Sequence, residues 1–343
     1  MKRLVFMFVF VSMCIASYSL ACDQMDFSLT LSNVEFRPGV TSDIYLKVFV
    51  NEKRPILGRT VFAIAGFAHT AETWKPFAEA VFEKDDRLFP VSKIVAIDFP
   101  GQGGSSIPEG MIFGEMVLAD YVQVCMKSLT RLNDMYIRPR TIIGHSQGGL
   151  IIQMIQQQLI NSGSSLSEEF NINKALLLAS AAPKDLPWYA LESGMVGQLI
   201  GNYVTSDAVL GPIVFFPATD WPYIFFSNLS GILASGAPAP QEVEENGYNC
   251  PEPLYVALNL SGTQPFERPV VDAGIFKIEN GTLLRVATYE QDILIRPEEN
   301  QALYIHLTGD QDASGVTVLN GGETVHDLHM SDPEFLIDFI SAD

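Results

Sequence analysis

Basic residues are scarce in this chain of 343: 21 Lys and Arg stand against 40 Asp and Glu, a formal net charge of −19. So acidic a molecule is repelled by nucleic acid and by anionic membranes, and no basic block offsets this. Cysteine is sparse as well, four in all, with no CxxC or Cys/His spacing of the kind that holds a metal. Histidine is limited to His69, His145, His306, His326 and His329, so any acid–base chemistry that needs an imidazole draws on five candidates. Internal repeats are missing, and the one low-complexity stretch is a short GAPAP loop.

The chain also lacks an apolar run long enough to span a bilayer, which takes about 20 residues. Its longest, Leu4 to Ala16, follows Lys2 and Arg3 and runs into Ser19-Leu20-Ala21. A basic start, a short apolar core and a small-residue exit describe an export signal over residues 1–21, cleaved before Cys22. The mature chain is then expected to be secreted or periplasmic, with no transmembrane segment. Lipid attachment at Cys22 is disfavoured, because Leu20 stands one place too close to the cysteine. In an oxidising compartment Cys22 and Cys250 are open to pairing, whereas Cys125 lies in an apolar helical pattern and reads as a buried thiol. Asn228, Asn259 and Asn280 open acceptor sequons for glycosylation.

What is present is a core. Hydrophobic residues make up 48% and charged residues 18%, enough to fill one large α/β domain with an insertion, or two domains. FSLTLSNVEF and DIYLKVFV, parted by Pro38-Gly39, predict an opening antiparallel pair. TVFAIA, KIVAIDF, TII and NKALLLAS are continuous apolar runs, the mark of strands buried on both faces, and helical patterns separate them. The expected fold class is therefore α/β, a mostly parallel sheet covered by helices on both sides. From Lys184 the alternation breaks into aromatic, Pro/Gly-rich sequence. FKIENGTLLRVA predicts a hairpin around Asn280-Gly281, and ALYIHLTGDQD predicts a returning strand that carries His306. This divides the chain into a core over 22–183 and 300–343 and an inserted cap over 184–299.

At the centre stands Gly144-His145-Ser146-Gln147-Gly148, between a strand and a helix. So tight a turn strains the backbone at the serine and leaves no room for side chains at the flanking glycines. It lifts the Ser146 hydroxyl clear above a helix N-terminus. This nucleophile elbow resembles that of the α/β-hydrolase superfamily. Gly66-Phe67 is similar to the family's oxyanion turn, and DFPGQGGSS is similar to its D-x-P-G-H-G-x-S turn, with Gln102 in place of histidine.

The resemblance implies a Ser-His-Asp triad. Ser146 is the nucleophile, and the backbone N–H groups of Phe67 and Gln147 form the oxyanion hole. By the family's final-loop register His326 is the base, with His329 as fallback. The G-x-x-D after the penultimate strand makes Asp312 the acid, with Asp310 and Asp185 open as alternatives. It also implies hydrolysis of an ester or thioester through an acyl-enzyme, acting on a small-molecule or lipid-like substrate, with no cofactor and no metal. Cap aromatics such as Trp188, Tyr189, Trp221 and Tyr223 favour an apolar acyl or aromatic group. A lyase, peroxidase or acyltransferase on the same site, or a silent binding protein, are the rival readings.

Overall fold

The computed structural model describes residues 26–51, 58–66, 69–84, 91–110, 116–189, 268–292, 294–319, 326, 328–331 and 333–341. Eight strands form one sheet: β1 (Phe27–Arg37), β2 (Val40–Val50), β3 (Arg59–Ile64), β4 (Val91–Ile97), β5 (Thr141–His145), β6 (Lys174–Leu178), β7 (Leu283–Tyr289) and β8 (Val316–Leu319). Their spatial order is β1-β2-β4-β3-β5-β6-β7-β8. The first three in that order pair antiparallel, as the Pro38-Gly39 turn predicts, and from β4 onward every pair is parallel. β5 and β6 are buried at all five positions, because helices cover both faces.

Helices α1 (Lys75–Lys84), α2 (Leu118–Asp134), α3 (Gln147–Asn161), α4 (Leu166–Phe170), α5 (Pro297–Thr308), α6 (Leu328–Ser331) and α7 (Leu336–Ser341) complete the layers. On one face α2, α3 and α5 contribute Leu129, Ile155 and Leu303 to the larger core. On the other, Trp74, Phe77 and Val81 from the α1 side meet Leu336 and Phe339 of α7. Cys125 lies in the larger core, and burial pushes its thiol pKa well above the ordinary value. Among the described residues no helix is long and apolar enough to cross a membrane.

Two expectations fail between 278 and 308. Asn280-Gly281 is no hairpin: Gly281, at φ 73°, closes a short 3-10 turn over Ile278–Asn280. The chain beyond it enters the sheet as β7, parallel to both β6 and β8. The run expected as a strand with His306 is helix α5. Pro297 fits its first turn, the Glu299 carboxylate accepts the Arg296 N–H at 2.8 Å, and Gly309 caps its C-terminus at φ 73°. α5 is thus the crossover from β7 to β8, and the core resumes well before residue 300.

Of the expected insertion, residues 190–267 lie outside the described residues, as do the export signal, Cys22 and Cys250. The two ends of that stretch are tied together. Lys184 N–H donates to the Pro269 carbonyl at 2.9 Å, and the Arg268 guanidinium donates to the Pro183 carbonyl at 2.6 Å. Trp188, expected as a cap aromatic, is buried and donates its indole N–H to the Leu294 carbonyl at 2.7 Å.

Candidate active site

The turn from β5 into α3 has the conformation the glycines predict. Ser146 sits at φ 51° and ψ −115°, a region an L-residue adopts only under constraint. The constraint is visible: Ser146 N–H donates to the Leu178 carbonyl at 2.9 Å, and its own carbonyl accepts from Gly149 and Ala181. A Cβ on Gly144 would stand 2.5 Å from the Gly148 carbonyl, and one on Gly148 2.3 Å from the Ile64 carbonyl. Gln147 is the first residue of α3, so its backbone N–H is one of the helix's first-turn donors, which lack a carbonyl one turn earlier in the helix. Phe67, the other expected oxyanion donor, lies outside the described residues.

At the end of β4 the DFPGQGGSS loop is held by its aspartate. The buried Asp98 carboxylate accepts from Ala71 N–H at 2.6 Å and Gly104 N–H at 2.8 Å, and the Ser105 hydroxyl donates to the Asp98 carbonyl at 2.8 Å. Burial outweighs these bonds and pushes the Asp98 pKa up to about 7. Its role is to join the end of β4 to the Ala71 turn.

His326 is buried beside the elbow. Its Nδ1 lies 2.9 Å from Oδ2 of Asp292, a residue just beyond the C-terminal end of β7. The other oxygen of Asp292, Oδ1, accepts from Leu294 N–H at 2.8 Å and Ile295 N–H at 2.9 Å. The His326 carbonyl in turn accepts from His145 Nε2 at 3.1 Å, so His326 and the elbow are fastened to each other. None of the expected acids meets His326. Asp312 is exposed and accepts from Ser314 N–H at 3.0 Å, a local turn bond. Asp310 accepts from the Tyr304 hydroxyl at 3.2 Å, and Asp185 is exposed after β6. Asp312 fails because the G-x-x-D that nominated it follows a helix, α5, and not the penultimate strand. Asp292 holds the position after that strand, a register that a hairpin reading of 276–287 conceals.

Four of the five histidines converge here, while His306 lies on α5 and bonds the Val271 carbonyl at 2.7 Å. The His145 ring centroid is 4.8 Å from His326, 4.5 Å from His329 and 5.6 Å from His69. His329, the fallback base, is fully buried and tilts over Trp74 at 4.5 Å. Burial, and then the neighbouring imidazoles, hold both His145 and His329 well below the ordinary histidine pKa. Both are neutral in the folded chain and titrate near 6.5 once unfolded. The stability they permit is therefore present above about pH 6.5 and is lost as pH falls below it, at about 1.4 kcal/mol per pH unit for each ring. Denaturant midpoints in EDTA buffer at pH 7.5, 6.5 and 5.5 are expected to hold steady at first and then fall. A flat profile would show that these rings accept protons without unfolding.

The chain matches the model of the alpha/beta hydrolase family over residues 61–339. It belongs to that family. No curated protein matches it. Solved α/β-hydrolase folds superpose on most of it at low identity. A thermophilic esterase from Thermogutta terrifontis aligns at TM-score 0.57 and 15% identity, over 92% of this chain and 97% of the other. An esterase from Exiguobacterium antarcticum gives 0.58 and 13%, over 92% and 98%. A bromoperoxidase from Bacillus anthracis gives 0.57 and 12%, over 92% and 98%. The family membership makes this chain a hydrolase whose fold is shared with esterases.

Proposed function

We propose that the protein is an exported serine hydrolase that cleaves a carboxylic ester or thioester through Ser146, His326 and Asp292. The observation that carries this reading is the buried His326–Asp292 pair, fastened by the His145 bond to the same turn that strains Ser146. A carboxylate oxygen only accepts, so the shared proton sits on His326 Nδ1 and Nε2 keeps its lone pair. In the proposed step Nε2 takes the proton of the Ser146 hydroxyl as the oxygen attacks the acyl carbon. Asp292 stabilises the imidazolium without being protonated itself.

The negative charge that develops on the substrate oxygen falls to the Gln147 N–H and, by family resemblance, to that of Phe67. The leaving alcohol takes the proton from Nε2, and water, activated by the same nitrogen, then releases the acyl group. Export follows from the basic, apolar and small-residue pattern of residues 1–21, and a preference for apolar acyl or aromatic groups from the aromatic composition beyond Lys184. The test is labelling with a fluorophosphonate, digestion and mass measurement, followed by turnover of a series of p-nitrophenyl esters. One adduct on the peptide that contains Ser146, with turnover rising with acyl length, is expected. An adduct elsewhere, or none, removes the assignment.

A further inference from the structure

We propose that His69, His145 and His329 form a binding site for a divalent cation of zinc-like character, beside the nucleophile elbow and separate from the proton-transfer pair. One ring nitrogen from each lies within 4.8 Å of those of the other two. A tetrahedral zinc with bonds of about 2.0–2.1 Å holds its nitrogens roughly 3.3 Å apart, so rotation and a small inward shift of the rings close the site. The donor set is imidazole alone. That chemistry suits zinc, copper or nickel and does not suit magnesium or calcium, which take oxygen ligands.

Three further features prepare the site. His145 Nε2 faces the His326 carbonyl at 3.1 Å. A carbonyl only accepts, so Nε2 carries the ring proton and Nδ1 presents its lone pair. That is how a ligating histidine is held in most metal sites, with the far nitrogen donating to a fixed oxygen. Gly66 keeps the approach to Nδ1 open: a Cβ there would stand 2.8 Å from His145 Nδ1 and 3.3 Å from Ser146 Cβ. His329 is fully buried, and neither of its ring nitrogens has a hydrogen-bond partner among the described residues. A buried polar group in that condition is costly, and coordination would satisfy it. The three ligands come from the chain after β3, the last residue of β5 and helix α6, so the site exists only in the folded sheet.

The full-length mature chain, stripped with EDTA, is titrated with Zn²⁺ by calorimetry and with Co²⁺ by visible absorption. One equivalent is expected to bind, and the Co²⁺ complex should show the intense d–d bands of a four-coordinate site made of three imidazole nitrogens and a water. His69→Gln and His329→Gln are each expected to weaken Zn²⁺ by more than about 100-fold, beyond the 10–100-fold that outer partners command. His306→Gln should leave binding unchanged. The proposal is overturned if wild type binds no stoichiometric Zn²⁺, which would make the cluster a dry imidazole stack, or if both ligand variants, shown to be folded by circular dichroism, bind as wild type does. Should either variant fail to fold, the wild-type Co²⁺ spectrum decides: weak octahedral bands, as exposed carboxylates give, overturn it.

Discussion

Ser146→Ala is expected to lower kcat by on the order of 10⁶, the scale at which loss of a triad nucleophile leaves only oxyanion and binding effects. The fold should be untouched, because alanine meets the same positive φ as serine and the hydrogen bonds that hold Ser146 are made by its backbone N–H and carbonyl. Ser146→Gly is the informative companion. It should be equally inactive yet no less stable, since relief of about 1–3 kcal/mol of backbone strain outweighs about 0.5–1 kcal/mol of added unfolded-chain freedom. Steady-state kinetics on a p-nitrophenyl ester and paired urea titrations measure both. Activity within tenfold of wild type in Ser146→Ala would assign the nucleophile elsewhere.

Asp292→Asn should cost about 10⁴ in kcat, while Asp312→Asn stays within about twofold of wild type. The two carboxylate oxygens of Asp292 have different partners. Asp292 Oδ1 receives the Leu294 and Ile295 N–H groups, so an asparagine keeps its carbonyl there and turns its amide toward His326. An amide N–H donates, which forces His326 Nδ1 to accept and moves the ring proton to Nε2. The base is then blocked on the side that faces the serine. Asp312 makes only a local turn bond at the surface, and its loss touches nothing in the site. The two variants, assayed side by side at neutral pH, separate the strand-end acid from the motif acid. The reverse ranking would place the acid in the 309–312 turn after all.

The parts of this molecule legible in the sequence are those written locally. The elbow announces itself because backbone contacts of 2.3–2.5 Å at Gly144 and Gly148 leave no other residue type possible there. The inner strands announce themselves because burial on both faces demands unbroken apolar runs. The place of Asp292 is hidden by two local signals that each admit a second meaning. Asn280-Gly281 supplies a left-handed residue, which closes a 3-10 turn as readily as it closes a hairpin. Leu303-Tyr304-Ile305-His306-Leu307 looks strand-like by composition, whereas Pro297, Glu298 and Glu299 before it and Gly309 after it mark the start and stop of a helix. Greater weight on those end signals puts a strand at 283–289 and an acid just beyond it. The histidine cluster had no local signature. His69, His145 and His329 are scattered along the chain and meet only because parallel strands deliver their ends to one edge.

The paired bonds at Pro183–Lys184 and Arg268–Pro269 hold the two described ends of the 190–267 stretch against each other. The entropy of joining its two ends grows only slowly with length, by about 0.6 kcal/mol per doubling. Selection can therefore lengthen, shorten or exchange the stretch between 190 and 267 as a cassette. β6, β7 and the His326–Asp292 pair would carry on unchanged.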